Sequence, residues 1–280
     1  MNIEPIEMEK FRAFVDQIPY PRDATIIKAF YLTASRASEL TTKSSPWDLL
    51  HEQSKPYGIF LNYSIQDYEI PSAKIGEPAK IEKVLTLRQA VAKRTKQKRK
   101  AEAESREMSP EEIADHLPAE ANMIDPRDPR GKRRTSFRTL YLESPSSVDP
   151  LLVKAFLGKI FFKVIALPTS PEYEPWTRDL LQYISKTGSL TFNITRQRLW
   201  QIVKQHLSRL DGHVHPHTLR HWRISHLLEN YNFDPTQITL YAGWTFRSTF
   251  GMMGINASAN LDTYLHLQWK NYFPKLLRRL

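Results

Sequence analysis

The chain of 280 residues contains no cysteine. That excludes a disulfide framework and any metal site built on thiolates. No apolar run is long enough to span a bilayer, and no basic-then-apolar signal pattern opens the sequence. These absences lead us to expect a soluble intracellular protein, cytoplasmic and associated with the nucleoid. No internal repeat is visible, which sets aside solenoid and propeller architectures. What the chain has in excess is positive charge. Lys+Arg number 40 against 30 Asp+Glu, a formal net charge of +10. A polyanionic partner follows, nucleic acid before membrane. The length suits one large domain or two small ones, and we expect a single domain over residues 1–280.

Met8, Phe11, Phe14 and Val15 repeat at helical spacing. After Pro21, the run from Ala24 to Leu32 predicts a second, apolar helix that ends near Ala34. Ser35 is read as the cap of a third, which residues 35–40 begin. Residues 59–61 with Tyr63, and residues 84–87, read as strands. Residues 93–100 carry six basic groups in eight, and a polar stretch rich in Glu, Pro and Asp follows to about residue 130. Within it, Ser109-Pro110-Glu111-Glu112 has the form of a helix start: a capping serine, proline in the first turn, glutamate at the capping-box position. We read about 94–131 as a charged insertion between two strands, with Phe137 to Leu142 resuming the sheet. Phe161 to Leu167 is a further strand, stopped by Pro168. Helical patterns then cover 176–186, 195–210 and 217–230. The expected fold class is α+β, mainly α-helical with a small antiparallel sheet.

The chemistry-bearing residues fall into four short motifs: Ser35-Arg36-Ala37-Ser38-Glu39-Leu40, His217-Thr218-Leu219-Arg220-His221, Ala242-Gly243-Trp244 and Thr263-Tyr264-Leu265-His266. A phosphodiester in transfer spreads negative charge over its non-bridging oxygens, and planar guanidinium groups match them with paired N–H donors. Arg36 and Arg220 are the candidates. Arg36 also has the spacing of a helix-surface ion pair with Glu39. His217 and Arg220 share one helical face, and Pro216 suits a first turn. The Trp244 indole can donate to a phosphate oxygen but cannot shuttle a proton; it equally suits packing in a core. Tyr264 offers a phenolic nucleophile, which needs cationic neighbours or a base. Tyr272 is the alternative.

In this order along a basic chain, the motifs resemble the catalytic domain of the tyrosine recombinase (integrase) family, from about residue 6 to residue 270. The stretches Pro171 to Trp176 and Trp269 to Lys275 look most like archaeal members. The resemblance implies the tyrosine recombinase catalytic-domain fold. It also implies a site-specific recombinase that cleaves and rejoins DNA through a 3′-phosphotyrosyl intermediate, with no metal, ATP or other cofactor. Arg36 and Arg220 would clamp the scissile phosphate, with His217 beside it as donor or proton shuttle. Trp244 holds the position where members carry histidine or tryptophan, and Tyr264 attacks. A strand-end lysine would protonate the leaving 5′-oxygen: Lys93 first, with Lys132 and Lys159 as alternatives. The family tyrosine usually lies nearer Gly-His/Trp, at what is here Met253, so an insertion at about 246–260 is inferred.

Lys96, Lys98, Arg99, Lys100 and Lys132 are expected to contact DNA phosphates. The partners are double-stranded DNA and further copies of the chain, as a dimer or tetramer on DNA; no membrane is involved. Family recombinases carry an N-terminal helical clamp domain, and the few residues before the first helix lead us to expect that it is absent here. Trp269, Tyr272, Phe273, Leu276, Leu277 and Leu280 form an apolar helical stripe, split by Pro274. It must be buried on its own domain or on a neighbour, and the resemblance favours docking on a neighbouring protomer. Three other readings compete. A zinc enzyme would use His213, His215, His217 and His221, at irregular spacing and with no suitably spaced catalytic carboxylate. The others are a catalytically idle DNA-binding accessory protein and a type IB topoisomerase.

Overall fold

A computed structural model describes residues 5–43, 60–71, 79–90, 108–121, 123–125, 127–130, 132–148, 153, 157, 162–188, 190–244 and 269–278. Helices α1 (Met8–Asp16) and α2 (Pro21–Leu32) form where the apolar spacing placed them. Pro21 opens α2, where a missing N–H leaves no bond unmade. Ile26, Ile27, Ala29, Phe30, Tyr31 and Leu32 have no solvent exposure, so α2 is a core helix. Just past its end Ala34 adopts a left-handed conformation, with φ 46°. For a residue with a side chain this costs roughly 1–2 kcal/mol. The turn leads into the short helix α3 (Ala37–Leu40), capped by Arg36. The expected cap, Ser35, is corrected: it is buried, and its hydroxyl accepts from Thr33 Oγ1 at 2.7 Å. Strand β1 (Thr41–Lys43) follows.

Strands β2 (Phe60–Ile70) and β3 (Lys80–Ala90) form an antiparallel pair. Beyond β3 the chain builds a small core of its own from Ile113, Leu117, Phe137, Leu140, Tyr141, Val148 and Val153. This stretch of chain holds α4 (Pro110–Asp115), the short antiparallel pair β4 (Met123–Ile124) and β5 (Arg134–Thr135), and α5 (Phe137–Glu143). The capping box at Ser109 is present: Ser109 Oγ accepts from Glu112 N at 3.2 Å, and Glu112 Oε2 accepts from Ser109 N at 2.8 Å. The strand expected over Phe137–Leu142 is corrected to the helix α5. Its residues fit either period, and Ser136 decides between them by accepting from Thr139 N at 2.9 Å. Phe137, Leu140 and Tyr141 then share one buried face.

The strand that completes the main sheet is β6 (Phe162–Pro168), which pairs antiparallel with β3 in the order β2-β3-β6. Lys163, Ile165 and Leu167 alternate on one face, beside Leu87 and Leu85. The remaining elements are α6 (Thr177–Thr187), β7 (Phe192–Thr195, parallel to β1), α7 (Arg196–Leu207), α8 (Pro216–Glu229) and α9 (Pro235–Ala242). The three helices expected here therefore form. Helix α8 lies against α2 and is buried along most of its length.

A 3₁₀ turn at Trp269–Asn271 and the helix α10 (Phe273–Leu276) end the described chain, with Pro274 in the first turn of α10. Tyr272, Phe273 and Leu276 join the main core at 1%, 0% and 2% exposure. Docking of the described tail on a neighbour is thereby corrected: this apolar stripe is covered by its own domain. The Tyr272 hydroxyl donates to Val164 O at 2.8 Å and accepts from Ala166 N at 3.0 Å, satisfying the edge of β6. The fold is thus mixed α/β with a small three-stranded antiparallel sheet. Among the described residues, no helix is long and apolar enough to cross a membrane.

Candidate functional site

The site is organised by backbone carbonyls at two helix ends. The last carbonyls of a helix lack intrahelical donors and carry the negative end of its dipole. At the end of α2, Leu32 O accepts from the Tyr241 hydroxyl. Thr33 O accepts from Lys163 Nζ at 3.0 Å, and Ala34 O from Arg220 Nη1 at 2.6 Å. At the end of α9, Ala242 O accepts from Arg220 Nη2 at 2.8 Å. Gly243, at φ 65°, makes that second end possible, since a side chain is disfavoured there. Arg220, only 1% exposed, is therefore held between two helix C-termini. Burial lowers its pKa to about 10; Glu39 opposes this shift and Arg36 adds to it. It remains cationic at neutral pH. Its guanidinium carbon lies 5.6 Å from the centre of the Trp244 ring, within cation–π range.

Glu39 is the carboxylate at the centre, 2% exposed. It accepts from the backbone N of Arg36 at 2.9 Å and from Arg36 Nη1 at 3.3 Å. Lys163 Nζ lies 3.5 Å from Oε2, the oxygen that accepts from Arg36 N. The i+3 pairing read from the sequence therefore exists, but its carboxylate faces inward. The Arg36 side chain stays 39% exposed and opens the site to solvent. Burial lowers Lys163 to about 8; Glu39 opposes this, while Arg220 and Arg36 reinforce it. Sequence reasoning missed Lys163. Its signal was a lysine inside the apolar run Phe161 to Leu167, in phase with Ile165 and Leu167, where a buried lysine is rare.

His215 caps α8: its Nδ1 accepts from Thr218 N at 3.3 Å, and Thr218 Oγ1 accepts from His215 N at 3.2 Å. The helix phase this sets puts His217 and Arg220 on one face. His217 is exposed, and its ring lies edge-to-face with His221 at 4.5 Å. Its pKa falls to about 4, first through lost hydration and then through His221, Arg220, His215 and Arg36. It is neutral at pH 7. Among the described residues, no three histidine or carboxylate side chains converge in a way that suits a metal ion.

A second missed element lies beneath the site. Arg12 pairs with Glu174 through two bonds of 2.8 and 2.7 Å, and Arg223 Nη1 lies 3.9 Å from the same carboxylate. Arg223 sits against the rings of Tyr31, Tyr231 and Tyr241 at 5.2, 5.5 and 5.6 Å. Its Nη2 donates to the Tyr241 hydroxyl at 3.2 Å, and that hydroxyl in turn donates to Leu32 O. This network therefore holds the end of α2, from which Lys163 and Arg220 take their positions.

Arg36, His217, Arg220 and Trp244 are brought together, with Lys163 and Glu39 added. Lys93, Lys96, Lys98, Arg99, Lys100, Lys159, Met253, Tyr264 and the inferred insertion at 246–260 lie outside the described residues. Lys132 is exposed on the loop between β4 and β5 and is not part of this cluster. Tyr272 is unsuited to attack: burial raises its pKa well above the ordinary value, and its hydroxyl is committed to β6. No family model, curated protein or solved structure matches the chain.

Proposed function

We propose that the chain is a DNA strand transferase of the tyrosine recombinase type, cleaving and rejoining duplex DNA through a phosphotyrosyl link. The observation that carries this reading is the gathering of Arg36, Lys163 and Arg220 around one buried carboxylate, Glu39, with His217 beside the two arginines. Three cationic side chains around one carboxylate favour an anionic ligand, because buried charge is unfavourable until it is matched. Two guanidinium groups suit the non-bridging oxygens of a phosphodiester.

In this mechanism the Tyr264 oxygen attacks phosphorus, and its proton passes to the neutral His217. The bond from phosphorus to the 5′-oxygen breaks as the bond to tyrosine forms. Lys163, whose lowered pKa eases proton release, delivers a proton to the departing 5′-oxygen. Arg36, Arg220 and the Trp244 N–H stabilise the charge that builds on the phosphoryl oxygens. The energy of the broken ester is kept in the phosphotyrosyl link, so rejoining by a 5′-hydroxyl needs no ATP.

The test is incubation with nicked suicide duplexes in excess EDTA, followed by denaturing electrophoresis. A covalent protein–DNA band that disappears in Tyr264→Phe is expected. Duplex binding with no covalent product would favour the idle accessory protein, and a strict need for a divalent ion would remove the tyrosine mechanism.

A further inference from the structure

We infer that the loop between β4 and β5 is a preformed cradle for the backbone phosphates of duplex DNA, separate from the Arg36–Arg220 site. The inference rests on the proposed function for the identity of its partner. From Asp125 to Arg134 the sequence holds Arg127, Arg130, Lys132, Arg133 and Arg134 against two carboxylates, Asp125 and Asp128. A merely solvated loop would leave its acids and bases to neutralise one another loosely in water. Here both acids are committed to building the loop.

Asp125 is 1% exposed and accepts from Arg127 N, Nε and Nη2, each at 2.9 Å. Asp128 accepts three backbone N–H groups, from Arg130 at 2.9 Å, Lys132 at 2.7 Å and Arg133 at 2.6 Å. These bonds hold both carboxyls below their usual range. The loop is also anchored outside itself. Arg127 Nη1 lies 2.7 Å from Glu143 on α5, and Arg134 Nη2 donates to Lys186 O on α6 at 2.6 Å.

The side chains of Arg130, Lys132 and Arg133 are exposed. Among the described residues, Arg130 and Lys132 make no ion pair within 4 Å. Together with Arg127 and Pro129 they line a concavity of about 450 Å³. Proline is the one uncharged residue in that lining. A protein-binding surface has an apolar or aromatic centre. Asp125 and Asp128 also line the concavity, but both are spent on the loop's own N–H groups and on Arg127, and the four cations outnumber them, which suits phosphate contacts that carry no sequence information.

The experiment is salt titration of full-length protein on duplexes of unrelated sequence, beside the covalent-trapping assay. Arg130→Ala with Lys132→Ala, both exposed, should leave the fold intact and lower the log–log salt slope by about two, near 0.9 per phosphate contact. Asp128→Ala is the sharper variant. It deletes a negative charge beside the cations, so net charge alone would tighten binding; the cradle requires several-fold weaker binding, because the scaffold is lost. Unchanged slope in the double variant, equal or tighter binding by Asp128→Ala, or competition by polyglutamate as effective as by duplex would each overturn the cradle. A loop-dependent slope with no covalent product would keep the cradle and sink strand transfer. Covalent product with equal slopes would do the reverse, and failure to bind duplex at all would remove both.

Discussion

Replacing Lys163 by methionine keeps most of the side-chain length and removes its charge. Burial lowers the pKa of Lys163 from 10.5 to about 8. That difference corresponds to about 3 kcal/mol by which the folded protein disfavours the ammonium. Methionine escapes this penalty. It also leaves Thr33 O without its donor, at about 1–3 kcal/mol. The two effects nearly cancel, so Lys163→Met should lie within about 2 kcal/mol of the native stability. Cleavage, by contrast, should fall by about 10²–10⁴, the usual contribution of a positioned proton donor.

The pH dependence has a definite sign. Native cleavage should decline above about pH 8 as Lys163 loses its proton, and below about pH 4 as His217 gains one. Between about 8 and 10.5 the unfolded chain binds more protons at this lysine than the folded one, so native stability should rise with pH across that window. The methionine variant should lack that rise. The assay pairs chemical denaturation with suicide-substrate cleavage on ordinary DNA and on DNA whose leaving 5′-oxygen is replaced by sulfur. A thiolate leaves without a proton, so sulfur should rescue Lys163→Met and not Arg220→Ala. Near-normal cleavage of ordinary DNA by Lys163→Met, or failure of sulfur to rescue it, would refute Lys163 as the acid. A stability loss well beyond 4 kcal/mol, larger than the estimated effects allow, would make Lys163 a structural cation instead.

Arg220→Ala should lower cleavage by at least about a hundredfold. It should also cost about 2–5 kcal/mol, because Ala34 O and Ala242 O lose their donors. Arg36→Ala, whose side chain is 39% exposed, should match that loss of cleavage at a stability cost of only about 1 kcal/mol; trapping and urea denaturation separate the two. Tyr264→Phe should abolish the covalent product, whereas Tyr272→Phe should keep it and lose about 1–3 kcal/mol by leaving Val164 O and Ala166 N unpaired. Covalent product that vanished only in Tyr272→Phe would reverse the assignment. Truncation after Lys270 removes the buried Tyr272, Phe273 and Leu276, each worth about 1.5–3 kcal/mol. It should abolish a cooperative unfolding transition in calorimetry, and a stable truncated monomer would contradict the packing described.

Much of this was readable along the chain because it depends on near neighbours. The apolar spacing of α1 and α2, the Ser109 capping box and the helices α6, α7 and α8 are local features, and local periodicity and capping decide them. Arg36, His217, Arg220 and Trp244 could be named from short motifs in order, and Glu39 only as a surface ion-pair partner of Arg36. The segment Phe137–Leu142 misled because its residues satisfy both periods, and the choice fell to Ser136 and a small core assembled from distant residues.

By itself, then, the sequence determined that the chain is basic, free of thiol chemistry, and equipped with two motif arginines and a histidine at helical spacing from one of them. It also determined that the apolar tail must be buried, since apolar surface leaves water wherever it can. Which surface covers the tail was decided by the tertiary structure, because a periodic stripe is equally apolar toward its own domain and toward a neighbour. The same holds for Lys163. Its Nζ meets Thr33 O across 130 residues of chain, and only the packing of β6 against the end of α2 turns an ordinary lysine into a buried, strengthened acid beside Arg220.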